Sequence, residues 1–362
     1  MSSSRDDVAA PPDAAAAPPS TAAAAAPKHR LWWILLLVVV GGGGIYLGAP
    51  NSDVLRVAWA RLSSVRGAAI AIVVGGALGL VATEALRIAV IGRLVGVRVS
   101  ARDAWDAAVA NHVMTAVTPQ VGLGEPTVAY TLGRRGTPWD AAVAIPFIKF
   151  TSSLVLVFVL GAALVGAGFG PVVDGRIGAL GIVWFLAIAA ITSLVIAICS
   201  SPSTARRWIG RIAGWLSRRR WFASPAWQAR IENSAQVTIR TADRLAGVRR
   251  ASWRSAIALV AVHLIYYASY VAPLVCLACV LGDPPVITLA LRSLVYLCFL
   301  FAMPTPGGTG PGEAAAAVFF GDLVPPADAI VIVAVFRAAT FYLQLAIGAL
   351  YLPIRSLALS RR

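Results

Sequence analysis

Hydrophobic residues in this chain fall into long unbroken runs rather than the short alternating stretches of a soluble fold. Six runs, Leu31–Gly48, Gly67–Ile91, Ala141–Ala167, Ile177–Cys199, Ser255–Leu281 and Ala327–Leu352, approach or exceed the ~20 residues a helix needs to cross a bilayer. Two shorter apolar stretches, Ala104–Thr118 and Val286–Pro304, lead into segments that suit a membrane helix poorly. These read TPQVGLGEP (Thr118–Pro126) and TPGGTGPGEA (Thr305–Ala314). The predicted breaks are Pro119, Gly122 and Gly124 in the first, and Pro306, Gly307, Gly308 and Gly310 in the second. Glycine lets a backbone turn, and proline removes a donor that lipid would leave orphaned. The pattern predicts an all-α polytopic membrane protein with six transmembrane crossings and two re-entrant broken hairpins, or about eight helices in all.

A shift of 188 residues lays one half of the chain on the other. Glu125 falls on Glu313, Gly133 on Gly321, Pro138-x-Asp140 on Pro326-x-Asp328, and Lys149 on Arg337. One extra residue is assigned to the second motif. The repeated unit is helix, broken hairpin, helix, over 67–167 and again over 255–352. Three crossings separate the hairpins, so the second unit is inverted relative to the first. Inverted repeats with broken helices near the midplane are a recurrent construction of secondary transporters.

Charge orients this picture. Twelve arginines lie in Ser200–Arg254, between two apolar runs, as expected of a cytoplasmic loop. In that loop Trp208, Ile212, Trp215 and Leu216 form one helical stripe, with Arg207, Arg211 and Arg218 on other faces. Such a helix lies on an anionic inner leaflet or packs on the protein's own cytoplasmic face. Residues 1–27 are rich in Ala, Pro and Ser and read as a disordered cytoplasmic tail. The membrane domain spans 28–355, and a basic tail closes the chain at 356–362. Both termini are placed in the cytoplasm. On the other side, Pro50–Arg66 is predicted to lie flat at the interface on Leu55, Trp59 and Leu62, although Arg56, Arg61 and Arg66 fit an outer face badly. With 59% hydrophobic residues and mean hydropathy +0.78, the net charge of +15 does not point to nucleic acid, since no recognition fold accompanies it. The four cysteines, including Cys276-x-x-Cys279, read as helix packing residues, and neither a metal nor a cofactor is expected.

Ionisable residues inside the apolar runs are the candidate site. Lys149 and Arg337 each lie about ten residues into a span, near mid-depth, where a charge costs ~2.5–3.5 kcal/mol even on the insertion scale. Either Glu125 and Glu313 cap the returning half-helices and pair with these cations, or the cations line a polar cavity and hold an anionic group such as a lipid phosphate. The second reading is preferred. His112 and Asn111 face the cavity or pack, and Gln120 in the first break is a further substrate-binding candidate. Glu84 and Arg87 are spaced to pair, although snorkelling of Arg87 is favoured.

The stretches TPQVGLGEPTVAYTLGRRG and MPTPGGTGPGEAA, in this order among apolar helices, resemble the lysylphosphatidylglycerol synthase transmembrane family, also called flippase-like domain proteins. The second motif resembles the family's P-x-P-G-G-x-G-x-x-E, through Pro304, Pro306, Gly307, Gly308, Gly310 and Glu313. The first resembles its P-x-x-x-G-x-G-E stretch with one position fewer, and Thr127 stands where a basic residue is frequent nearby. The resemblance implies translocation of a lipid, such as aminoacylated phosphatidylglycerol, between leaflets of a bacterial inner membrane. Members that synthesise lysyl-lipid carry a soluble acyltransferase-like domain after the membrane part. The chain ends at Arg362, so aminoacyl transfer is not expected of it.

The preferred function is a lipid transporter or flippase moving a polar or anionic lipid by alternating access, with membrane lipids as its partners. The alternatives are an accessory subunit docking a separate synthase or glycosyltransferase, and an intramembrane enzyme on a lipid-linked substrate. No catalytic residues are assigned, because neither a nucleophile with paired acids nor a nucleotide loop appears.

Overall fold

The computed structural model describes residues 52–118, 124–169, 202–219, 224–249, 252–303 and 308–360, with single positions 43, 221 and 305. The expected crossings Leu31–Gly48 and Ile177–Cys199 lie outside the described residues, as do Pro119, Gln120, Gly122, Pro304, Pro306 and Gly307. Among the described residues every regular element is helical.

Four helical stretches have the length and hydropathy of membrane spans: Arg66–Leu94, Trp139–Phe169, Trp253–Leu281 and Pro326–Tyr351. They coincide with four of the six expected crossings. In chain order the first half contains α1 (Ser52–Ser64), α2 (Arg66–Leu94), α3 (Ala101–Val117), α4 (Glu125–Arg134) and α5 (Trp139–Leu164), which ends in a π turn at Val165–Phe169. Two helices, α6 (Pro202–Ser217) and α7 (Pro225–Arg249), occupy the basic segment. The second half contains α8 (Trp253–Leu281), α9 (Val286–Ala302), the short α10 (Pro311–Ala314) and α11 (Ala316–Phe320), then α12 (Pro326–Arg337), a π turn at Ala338–Tyr342 and α13 (Leu343–Ser360).

The centre of the fold is the crossing of α2 with α8, the most extensive helix pairing among the described residues. Gly76 lies against Pro273, the Thr83 and Ser269 hydroxyls are 2.9 Å apart, and Arg87 covers the Tyr266 ring. Numbers rise along α2 as they fall along α8, so the two helices run antiparallel. These are the helices that the 188-residue shift superimposes, and they run in opposite directions.

Each half holds a helical hairpin. In the first, α3 and α4 run antiparallel, and Arg135 at the end of α4 returns to Asp103 and Asp106 near the start of α3. In the second, Asp322 after α11 returns to Arg292 on α9. The hairpin bases are stapled by ion pairs of reversed polarity, with the acid on the rising helix in one half and on the returning side in the other. Helices α3 and α9 are both 17 residues long. Measured from their ends to Glu125 and Glu313, the second tip is three residues longer than the first.

Helix α1 precedes α2 as α7 precedes α8, and each packs across onto the other half, α1 on α12 and α7 on α5. The packing face of α1 differs from the expected stripe. Leu55, Ala58 and Leu62 face the protein, whereas Trp59 is 72% exposed. A helix turn of 3.6 residues cannot put 55, 59 and 62 all in the centre of one buried face when Ala58 already holds it.

Candidate functional site

Two buried charge clusters occupy the hairpin tips. In the first half the carboxylate of Glu84, on α2, is the hub. The Lys149 ammonium from α5 and Asn111 Nδ2 from α3 both donate to Glu84 Oε1, Asn111 at 2.9 Å. Arg87 Nη1 donates to Oε2 at 2.9 Å, and its Nη2 to Ser153 Oγ at 2.7 Å. The Arg87 guanidinium lies 4.1 Å above the Tyr266 ring. Arg87 therefore does not snorkel: it is buried, because α8 brings an aromatic face to it and α5 an acceptor. Glu125, first residue of α4, places Oε2 3.1 Å from Lys149 Nζ, but without the alignment of a hydrogen bond.

Hairpin closure here depends on Gly124. A Cβ at this position would lie 2.3 Å from Thr115 Oγ1 and 2.8 Å from the Asn111 carbonyl. Only a residue without a side chain lets α4 begin so close to α3, and this closeness delivers Glu125 to Lys149. The equivalent residue is Gly312, where a Cβ would meet Leu300 Cδ2 at 2.5 Å.

In the second half Arg337 Nε donates to Glu313 Oε1 at 2.7 Å, and Arg337 Nη2 to Thr309 Oγ1 at 2.9 Å. The other Glu313 oxygen accepts from the Gly310 amide at 2.7 Å. Gly308 and Gly310 have φ of +74° and +90°, a left-handed backbone that side chains resist, so the tip needs glycine at both. Arg337 ends α12 where the helix widens into its π turn, and its guanidinium covers Phe341 at 4.7 Å.

A chain of aromatic rings lies between the clusters. Tyr266, beneath Arg87, contacts Tyr270, and Tyr270 contacts Phe336, next to Arg337. Around the same crossing Gln344 Nε2 donates to the Ala77 carbonyl at 2.9 Å. His263 links the Leu259 carbonyl to Ser152 Oγ beside Lys149.

Of the expected site residues, Lys149 and Glu125 meet in one cluster, and Arg337 and Glu313 in the other. Lys149 and Arg337 are 1% and 2% exposed, and in this conformation carboxylates engage both cations. His112 is buried beside the first cluster with Nε2 unpartnered, and Gln120 lies outside the described residues. Glu84 is the residue whose reach sequence reasoning missed. It was matched with Arg87 alone, whereas it also holds Lys149 and Asn111.

A second pair of contacts straps the halves together. Arg244 of α7 donates through Nε to Asp140 Oδ2 at 2.5 Å and through Nη1 to the Val95 carbonyl at 2.9 Å. Arg61 of α1 brings Nε within 3.3 Å of Asp328 Oδ1. Asp140 and Asp328 are the repeated Pro-x-Asp acids, so each half lends an arginine to the other's helix start, where an acid also suits the helix dipole.

A family model described as "Lysylphosphatidylglycerol synthase TM region" matches residues 19–348. No curated protein matches the chain.

Proposed function

The chain belongs to the lysylphosphatidylglycerol synthase TM region family, and from that premise we propose that it moves a polar or anionic lipid between the leaflets of a membrane. In this reading α2, α5, α8 and α12–α13 cross the bilayer and the hairpins α3–α4 and α9–α11 enter from opposite faces. Their tips bring Lys149 and Arg337 to mid-depth. The basic α6–α7 pair faces the cytoplasm, as do both termini.

The observation that carries this reading is the antiparallel crossing of α2 and α8, with a hairpin and a buried cation on each side of it. Two related halves of opposite direction can exchange conformations, and the exchange moves a central opening from one face to the other. A lipid phosphate would compete with Glu125 for Lys149, or with Glu313 for Arg337, as each hairpin opens.

Labelled phosphatidylglycerol in proteoliposomes tests this. The wild type is expected to speed leaflet exchange over empty vesicles, and Lys149→Ala with Arg337→Ala to abolish the gain. Equal rates in both proteins would remove these cations from the mechanism. No acceleration for any lipid would remove transport.

A specific observation also favours docking of a lipid-modifying enzyme. On α6, Trp208, Ile212 and Trp215 are about half exposed, a stripe that α7 leaves uncovered. Replacing these three by serine separates the roles, whereas deleting all of 204–250 would also remove Arg244. Lost enzyme recruitment with intact lipid exchange is the result this second reading expects.

A further inference from the structure

The two charge clusters occupy equivalent places but are not equivalent chemically. In the second, each oxygen of Glu313 has a hydrogen-bond donor, Arg337 on one side and the Gly310 amide on the other. In the first, two carboxylates share one ammonium, and three buried polar atoms have no hydrogen-bond partner among the described residues: Asn111 Oδ1, His112 Nε2 and Arg87 Nε. All three belong to side chains more than nine-tenths buried. Buried polar atoms normally find partners, so three unpartnered atoms around one pair of carboxylates indicate a site that takes something up.

We propose that Glu125 is a proton-binding carboxylate, and that its protonation releases Lys149 to an anionic lipid headgroup. This rests on the transport reading above and adds its coupling. Glu125 is faced by Lys149 from α5 and by Glu84 and Arg87 from α2, while Asn111 and His112 of α3 lie against Glu84, and Asn111 and Thr115 lie against the neighbouring Gly124. With Glu84 and Glu125 ionised, they balance Lys149 and Arg87, and the cluster has no charge to offer a phosphate. One proton on a Glu125 oxygen neutralises that carboxylate and leaves the cluster at +1. A monoanionic headgroup then restores neutrality inside a low-dielectric site. The proton and the anion enter and leave together, one for one. Glu125 suits this role because it sits on the hairpin, keeps 16% side-chain exposure and meets Lys149 without a formed hydrogen bond, whereas Glu84 is enclosed on all sides.

Infrared titration of the full chain in nanodiscs tests the assignment without requiring transport. Nanodiscs of phosphatidylcholine alone are compared with nanodiscs containing phosphatidylglycerol. The expected result is a protonated-carboxyl band that grows as pH falls, is lost in Glu125→Gln and persists in Glu313→Gln. Because an anion that prefers the protonated site must favour protonation, phosphatidylglycerol should raise the midpoint by about one pH unit per tenfold preference. Glu125→Asp, which keeps a carboxyl, should retain the band at a moved midpoint and guards against a folding defect in the glutamine variant. A band indifferent to Glu125→Gln, a midpoint indifferent to phosphatidylglycerol, or a titration that follows His112→Ala would each overturn the proposal. Lipid exchange without Glu125 titration would overturn it while leaving transport standing. The expected titration without lipid exchange would remove transport and leave the proton site.

Discussion

Gly76 of α2 faces Pro273 of α8 so closely that a Cβ at Gly76 would lie 2.6 Å from Pro273 Cγ. Pro273 has no freedom to move away, since its ring is fixed to the backbone of α8. Gly76→Val should therefore force the central crossing apart, with an overpacking cost of about 1–3 kcal/mol. Gly75 has open space around it, so Gly75→Val serves as the control. Thermal denaturation in detergent should show the first variant unfolding earlier and the second unchanged. Equal melting of the two would mean that α2 and α8 do not meet at Gly76.

The hairpin tips make a graded prediction. At Gly124 an added methyl meets Asn111 backbone as well as the Thr115 side chain, whereas at Gly312 it meets chiefly the end of Leu300. Gly124→Ala should lower folded yield strongly and resist rescue by Thr115→Ala. Gly312→Ala should be milder and recover with Leu300→Ala, because a leucine terminus can move and a backbone carbonyl cannot. Size-exclusion profiles of the four proteins check the contrast.

Much of this arrangement was legible in the sequence because it is repeated. The shift that puts Glu125 on Glu313 and Lys149 on Arg337 singled out the acids and cations of both clusters, and left their pairing as one of two readings, the one that the structure shows. Glu84 escaped for the converse reason: the same shift places it on Ala272, so the repeat carries no trace of it. Its helical spacing to Arg87 supplied a complete local explanation, and nothing local betrays a contact 65 positions away with Lys149. Arg61 looked misplaced for an outer face because its partner, Asp328, is 267 positions away. The doubled Pro-x-Asp was visible, but two repeated acids name no partner. The face of α1 was misread because Trp59 weighs heavily in any apolar stripe, whereas packing against α12 selects the small Ala58.

The Lys149 cluster should respond differently to removal of a charge and to removal of a pair. Lys149→Met alone leaves Glu84 and Glu125 facing each other with Arg87 as the remaining cation, and breaking a buried pair in this way typically costs about 3–5 kcal/mol. Lys149→Met combined with Glu125→Gln keeps the Glu84–Arg87 pair balanced and should recover most of that loss. Chemical denaturation of the single and double variants measures the difference. If the double variant is no more stable than Lys149→Met, the charges do not act as one group.

The straps between halves should be unequal in strength, and this follows from their surroundings. Arg244 makes a short bond to Asp140 and a second to the Val95 carbonyl, so it ties α7 to both α2 and α5. Arg61 is half exposed and approaches Asp328 at 3.3 Å without hydrogen-bond alignment. Arg244→Ala should cost about 1–3 kcal/mol, between the limits for exposed and buried pairs, and Arg61→Ala under about 1 kcal/mol. A double-mutant cycle on each pair, with Asp140→Asn and Asp328→Asn, isolates the coupling from lost packing of the arginine stems. Coupling is expected to be clearly larger for Arg244–Asp140. An equal or reversed ranking would mean that the alignment of the two contacts does not set their strength, and that α1 holds α12 as firmly as α7 holds α5.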